Sequence, residues 1–186
     1  NLIDFTSIQT EAYKLLEKNP EILKEIQSQI RYIMVDEYQD TNYIQEKIVF
    51  LLAGEQKNIC VVGDDDQGLY RFRGATIRNI LEFPMHFKNG ECRRVGLTVN
   101  YRSEKQIVDF YNAWMENTEE FNWKNFRFPK QIVPGKKNYS MGTTVLKCSG
   151  ENNLDEWCEN VYKFITDLEK KGIIKDYNQV AFLCRS

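Results

Sequence analysis

The sequence predicts an α/β fold in which parallel strands alternate with helices. One apolar run, residues 33–35, stops at Asp36 and Glu37, and a second, residues 59–62, stops at a glycine and three aspartates. Between them, apolar residues recur at helical spacing over residues 44–52. A continuous apolar run is typical of a strand buried on both faces of a parallel sheet. Strand, helix and strand in this order predict a right-handed βαβ unit, which brings both acidic strand ends to the same edge.

Carboxylates at that edge suggest a binding site. In open α/β sheets, ligands bind beyond the carboxyl ends of the strands. A carboxylate such as Asp36 can hold Mg²⁺ directly or through water, and a second, such as Glu37, can accept a proton from an attacking water. A buried strand followed by a polar turn would explain the same residues without any chemistry. The strand end alone leaves both interpretations open.

The second half of the chain predicts a further βαβ unit. Residues 94–99 indicate a third strand. Beyond it, residues 143–148 and 180–184 have the character of strands, and an amphipathic helix over residues 154–168 lies between them.

Composition narrows the class of protein. The chain has 186 residues, of which 42% are hydrophobic and 28% charged, so it can build a core and is not disordered by composition. No apolar run approaches the length of a membrane span, and we expect no membrane partner. The five cysteines are scattered and form no CxxC pair, which indicates reduced, mostly buried thiols in a cytoplasmic protein and no zinc site.

Two stretches could meet nucleic acid. Tyr70, Phe72 and Arg73 belong to a run that alternates aromatic rings with arginines; the rings can stack on any base while arginines pair with phosphate. The rings could equally be core residues of a strand. Residues 121–150 contain no acidic residue and several basic ones, which suits either an ordinary solvated surface or a loop that faces DNA.

Three longer stretches carry a family resemblance. They are Val-Asp-Glu-Tyr-Gln-Asp-Thr at 35–41, Val-Gly-Asp-Asp-Asp-Gln-Gly-Leu-Tyr-Arg-Phe-Arg-Gly-Ala at 62–75, and Asn-Tyr-Arg-Ser at 100–103. In this order they closely resemble motifs II, III and IV of the UvrD/Rep family of superfamily 1 DNA helicases. The resemblance covers nearly the whole chain.

The resemblance implies roles around a nucleotide, with ATP and Mg²⁺ as cofactors. Asp36 matches the aspartate that holds Mg²⁺, and Glu37, beside the metal, matches the base that orients or deprotonates the attacking water. Gln67 matches the glutamine that senses the γ-phosphate and couples it to DNA. Tyr101 matches a tyrosine that stacks on adenine, and Arg102 an arginine that reaches the γ-phosphate and stabilises charge on it.

The resemblance also implies an architecture and a partner. It predicts two partial RecA-like motor domains of the P-loop NTPase class, residues 1–99 from the first and residues 100–186 from the second. Tyr70, Phe72 and Arg73 match residues that meet single-stranded DNA. The parent protein is expected to translocate 3′ to 5′ on single strands and to unwind duplexes at single-strand/double-strand junctions, with repair or recombination proteins as partners.

The sequence departs from the family pattern in places. Position 68 is glycine where serine is usual, and position 72 is Phe where tryptophan is common. No phosphate loop of the form G-x-x-x-x-G-K-[ST] occurs. The chain is therefore interpreted as a piece of a longer helicase and is expected to be inactive alone. The alternatives are a helicase subunit of a recombination helicase–nuclease complex and a helicase-like protein that binds DNA or a partner without turnover.

Overall fold

The computed structural model describes residues 4–117, 123–136, 145–146 and 153–183, and these form two compact units, residues 1–140 and 141–186. The α-helices are α1 (Phe5–Lys18), α2 (Pro20–Gln29), α3 (Tyr43–Ala53), α4 (Arg78–Glu82), α5 (Lys105–Asn117) and α6 (Leu154–Lys170). The strands are β1 (Ile33–Val35), β2 (Ile59–Val61), β3 (Val99–Asn100) and β4 (Val133–Pro134). The mixture of helices and parallel strands confirms the α/β class.

The first unit contains the predicted βαβ arrangement. Strands β1 and β2 are parallel neighbours in register, with Val35 opposite Val61, and α3 connects them. Helix α3 begins at a capping box in which the Asn42 side chain accepts from the Gln45 N–H and the Gln45 side chain accepts from the Asn42 N–H. It ends at Gly54, whose φ of 59° suits a residue without Cβ.

The sheet formed by β1 and β2 is exposed on one face, contrary to the sequence prediction. Met34, at the centre of β1, is 82% exposed, and Cys60, its partner in β2, is also exposed. The expectation of strands buried on both faces is therefore wrong for this chain, because one face of this two-stranded sheet is uncovered by the described residues. Exposure of Cys60 and Cys158 likewise contradicts the expectation of mostly buried cysteines.

The core lies on the other face of the sheet. Tyr38, Ile80 and Phe83 are its buried centre, and the Tyr38 and Phe83 rings meet edge-on with centroids 5.3 Å apart. Val35 and Val61 pack against this cluster. Since Tyr38 follows Glu37 directly, the core anchors the loop that leaves β1.

Two further strand predictions need correction. Among residues 94–99, only Val99 is in a strand; β3 pairs in parallel with β4 and forms its own two-stranded sheet. Val95 and Leu97 are largely exposed, since no neighbouring strand covers them in the part of the chain described. In the second unit α6 is confirmed, but residues 180–183 are not in a strand, and residues 143–148 lie largely outside the described residues.

No helix in the described ranges is long and apolar enough to cross a membrane.

Candidate functional site

The loops that follow β1 and β2 leave the sheet side by side. Pairing continues past the strands, since the Val62 N–H donates to the Val35 carbonyl (2.8 Å) and the Tyr38 N–H donates to the Val62 carbonyl (2.9 Å). Parallel strands place both carboxyl ends at one edge. The prediction that the two acidic strand ends share this edge is confirmed.

Glu37 occupies an unusual backbone position at that edge. Its φ is 48°, in the left-handed region that non-glycine residues rarely adopt. The Asp36 Oδ1 atom accepts the Glu37 N–H at 2.9 Å, while buried Tyr38 fixes the other side. Residues held in this region cluster at functional sites, where the surrounding structure imposes them. The turn leaves Asp36 and Glu37 both exposed to solvent.

Gln39 connects the two strand ends. It is 2% exposed, its Nε2 donates to Glu37 Oε2 at 2.7 Å, and its Oε1 accepts the Asp64 N–H at 3.0 Å. A Cβ at Gly63 would lie 2.6 Å from Gln39 Oε1, so the absence of a side chain there makes room for this bridge.

The bridge extends to Gln67. This residue ends a short 3₁₀ helix, Asp65–Gln67, and its Nε2 donates to Asp64 Oδ2 at 2.8 Å. A continuous run of side-chain and backbone hydrogen bonds therefore joins Glu37, Gln39, Asp64 and Gln67; we call it the strand-end relay. It links two of the residues predicted to act on a nucleotide, Glu37 and Gln67.

The three aspartates after β2 form a compact acidic cluster, Asp64–Asp66. One carboxylate oxygen of each lies within 4.8 Å of the others, which is close enough to hold a metal ion. Lys130, however, forms ion pairs with all three, reaching Asp66 Oδ2 at 3.1 Å. The second cation is Arg127, whose guanidinium lies 2.5 Å from Asp66 Oδ2. The protein's own cations therefore pair with this cluster and offset two of its three negative charges.

Neutral donors complete the surroundings of the cluster. Asp66, whose side chain is fully buried, also accepts from the Tyr111 hydroxyl (2.5 Å) and the Trp123 indole N–H (2.7 Å). Asp65, 3% exposed at its side chain, accepts the Phe128 N–H at 2.7 Å. Buried charges are tolerated when paired and hydrogen-bonded in this way.

Electrostatics keeps Asp64 and Lys130 ionised. Burial alone raises the pKa of Asp64, but hydrogen bonds from Lys130 and Gln67 outweigh it and hold that pKa below its usual value. Burial alone lowers the pKa of Lys130, but its bonds to Asp64 and Asp65 leave that pKa raised. Burial and the bond to Asp66 together raise the pKa of the Tyr111 hydroxyl far above its ordinary value, so it remains a donor.

At two positions within residues 121–150, neither of the two interpretations of this stretch holds. Arg127 and Lys130 are neither ordinary solvated side chains nor free to face DNA, since their charged groups bind the acidic cluster and their side chains are 9% and 16% exposed.

Tyr101 and Arg102 lie where β3 ends. The Asn100 Oδ1 atom accepts the Arg102 N–H (2.9 Å) and the Ser103 N–H (2.8 Å), which fixes the turn. The Tyr101 ring is 73% exposed and lies against Gly135, where a Cβ would come within 2.9 Å of it. Arg102 makes no hydrogen bond or ion pair with Asp36 or Glu37 among the described contacts, so the structure does not join these predicted site residues.

Tyr70, Phe72 and Arg73 form an exposed aromatic group. They belong to a 3₁₀ helix, Tyr70–Arg73, and the Arg73 guanidinium lies 5.0 Å from the Tyr70 ring centroid and 5.5 Å from that of Phe72. Phe72 is 75% exposed and Tyr70 40%. The interpretation of these rings as core residues of a strand is therefore contradicted.

Sequence reasoning missed Gln39 and the two cations of the cluster. Nothing in the local pattern distinguishes Gln39 from a polar turn residue, and Lys130 lies 64 to 66 residues away from the acids that it contacts. The acid-free composition around Arg127 and Lys130 was the available signal, and it does not reveal which acids they meet.

Comparison with known protein families matches the first part of the chain. Residues 1–88 match the model of the UvrD/REP helicase N-terminal domain. This match covers the strand-end relay and the exposed aromatic group. Over these residues the chain is similar to the UvrD/Rep helicase family.

Individual relatives extend the similarity to the second half. The chain is 37% identical over 184 residues to proteins named ATP-dependent DNA helicase PcrA from Staphylococcus aureus (strains Mu50 and NCTC 8325) and Staphylococcus epidermidis (strain ATCC 35984). The alignment covers 99% of this chain and 23% of each relative. The chain thus spans less than a quarter of the length of the relatives it matches.

Proposed function

We propose that this chain is part of an ATP-dependent DNA helicase in which the edge beyond β1 and β2 binds and hydrolyses ATP. The observation that carries the proposal is the strand-end relay, which fixes Glu37 and Gln67 relative to each other at the carboxyl edge of a parallel sheet. The relatives named as ATP-dependent DNA helicases support the same activity.

The residues at the edge fit Mg²⁺ and a nucleotide. Asp36 is exposed, and Glu37 donates only a backbone N–H to its Oδ1, so the carboxylate retains lone pairs for a hard cation. Bound Mg²⁺ would neutralise charge on the phosphates of ATP. Glu37, oriented by the Gln39 amide, would accept a proton from the attacking water, and Gln67 would report the state of the phosphates.

The finer assignments are part of this proposal. The two sheets would belong to two RecA-like motor domains, residues 1–99 and 100–186, with Tyr101 stacking on adenine and Arg102 reaching the γ-phosphate across the cleft. Tyr70, Phe72 and Arg73 would contact single-stranded DNA, a role supported by their exposure and by the arginine that lies over the two rings.

Phosphate release by the full-length protein, with and without single-stranded DNA, tests the proposal. We expect DNA to stimulate turnover and the protein to unwind a duplex with a 3′ single-stranded tail in preference to one with a 5′ tail. If the protein binds DNA but shows no ATP turnover under either condition, the proposal is wrong and the protein binds DNA without acting as a helicase.

A further inference from the structure

The position of the Gln67 amide depends on one carboxylate. Asp64 Oδ2 accepts the Gln67 Nε2–H at 2.8 Å, and Asp64 Oδ1 accepts the Asp66 N–H at 3.1 Å. A carboxylate that rotated about its Cβ–Cγ bond would break both bonds. Gln67 is itself exposed, so the orientation of Asp64 determines where its amide lies.

Lys130 holds that carboxylate in place. Its Nζ contacts Asp64 Oδ1, the oxygen on the other side of the carboxylate from Gln67. The same ammonium also binds Asp65 and Asp66, whose side chains are 3% and 0% exposed. Lys130 is thus anchored at the buried end of the acidic cluster and reaches the 32% exposed Asp64 at the other end.

Arg127 provides an internal comparison. It binds the same cluster from the same segment, but its guanidinium reaches only Asp66 among the described acids. Arg127 therefore shares the structural part of the role of Lys130 and makes no contact with the carboxylate that binds Gln67.

We propose that Lys130 is a positioning residue for ATP hydrolysis. It orients Gln67 by holding the Asp64 carboxylate, and it steadies Glu37 through the Asp64 N–H and Gln39. This inference rests on the proposed function of the strand-end relay. Lys130 touches neither nucleotide nor water in this role. Loss of its ammonium releases Asp64 and lets the Gln67 amide move, and a displacement of about 1 Å in a catalytic array can cost ~10²-fold in rate.

The test compares Lys130→Met with Arg127→Met in the full-length protein. Both substitutions remove one cation from a buried acidic cluster, so both should lower the melting temperature. With saturating single-stranded DNA, Lys130→Met should lower kcat for ATP by about 10-fold or more at a little-changed KM, since it affects the reacting array and not nucleotide binding. Arg127→Met should keep kcat within about 2-fold of wild type. Lys130→Arg, which retains a cation, should restore most of kcat.

A second substitution checks that the effect passes through Asp64. Asp64→Asn alone should reproduce the loss of kcat, and adding Lys130→Met to it should cost little more, because residues that act in one network are not additive. If Lys130→Met does not fold, Lys130→Gln takes its place in both comparisons. Equal kcat values for the Lys130 and Arg127 variants, or full additivity with Asp64→Asn, would overturn the inference. A wild-type protein without DNA-stimulated turnover would instead refute the proposed function.

Discussion

At the end of β1, Asp36 and Glu37 are exposed and form no ion pair with a described residue, whereas at the end of β2 Asp65 and Asp66 are buried and bound by Lys130. Both strands are followed by carboxylates at the same edge of the same sheet. The difference lies in what the rest of the chain brings to each end. The first pair remains available to a cation and a water. The second pair is bound within the fold, next to the Asp64 carboxylate that accepts the Gln67 amide N–H.

The largest expected effect concerns turnover at the β1 end. In the full-length protein, Glu37→Gln should lower kcat for ATP by about 10² or more, as expected on loss of a general base. The amide oxygen of the new side chain still accepts the Gln39 N–H, so the melting temperature should be retained. Steady-state phosphate release and thermal unfolding on the same preparation check both points, and Glu55→Gln, an exposed acid outside the relay, is the matched control. Wild-type turnover by Glu37→Gln would refute the role of this residue.

The second prediction concerns stability at the β2 end. Asp66→Asn leaves Arg127 without its described anionic partner and should lower the free energy of unfolding by about 3 kcal/mol, as for other broken buried ion pairs. Asp36→Asn, at an exposed site without an ion pair, should change it by no more than about 0.5 kcal/mol. Urea unfolding of the two variants measures the contrast. Equal losses of stability would mean that the two strand ends do not differ as described.

The third prediction concerns the exposed aromatic group. Phe72→Ala should weaken binding of single-stranded DNA by about 1–3 kcal/mol, whatever the base sequence, because a ring stacks on any base. Leu69→Ala is the matched control, since Leu69 has the same 75% exposure but cannot stack. Fluorescence anisotropy measures binding, and thermal unfolding should show little change for either variant. Equal effects of the two substitutions on DNA binding would remove Phe72 from the set of DNA contacts.

A smaller effect is expected from acid. Burial alone raises the pKa of Asp66, but hydrogen bonds from Tyr111 and Trp123 lower it more, so its folded pKa lies below that of the unfolded chain. Its contribution to stability is thus present above the unfolded value of about 3.9 and is lost as the pH falls through the folded pKa. The free energy of unfolding of Asp66→Asn should fall less steeply below about pH 4, by at most about 1.4 kcal/mol per pH unit. Urea unfolding at several pH values checks this, and parallel curves would contradict it.

Local features of the fold could be predicted because they depend on neighbouring residues. The apolar runs of β1 and β2, the helical spacing of α3 and the acids that follow each strand suffice to indicate a βαβ unit with two acidic ends at one edge. The relay and the cluster could not be predicted in the same way. Gln39 and Asp64 are 25 residues apart in the sequence, and Lys130 and Asp64 are 66 residues apart. A local sequence pattern cannot indicate contacts between residues so far apart.

The failed strand predictions have a related cause. Val95 and Leu97 give residues 94–98 the character of a strand, but a strand also needs partners for its backbone groups. Among the described residues, pairing begins at the Thr98 carbonyl, which accepts the Val133 N–H, and of residues 94–100 only Val99 and Asn100 are in a strand. The exposure of Met34 has the same origin, since burial on both faces depends on segments that cover the sheet and not on β1 itself.

Binding of Mn²⁺ together with a nucleotide tests the contrast between the strand ends most directly, because carboxylates follow both strands. Electron paramagnetic resonance of Mn²⁺ with a non-hydrolysable ATP analogue measures the bound metal in the full-length protein. Asp36→Asn should reduce nucleotide-dependent Mn²⁺ binding by about 10-fold or more, since loss of a residue that only supports a metal ligand already costs roughly that much. Asp65→Asn, still folded at the temperature of the measurement, should bind Mn²⁺ as the wild type does. Loss of Mn²⁺ binding in Asp65→Asn and its retention in Asp36→Asn would contradict the account, since the metal would then lie at the acidic cluster after β2.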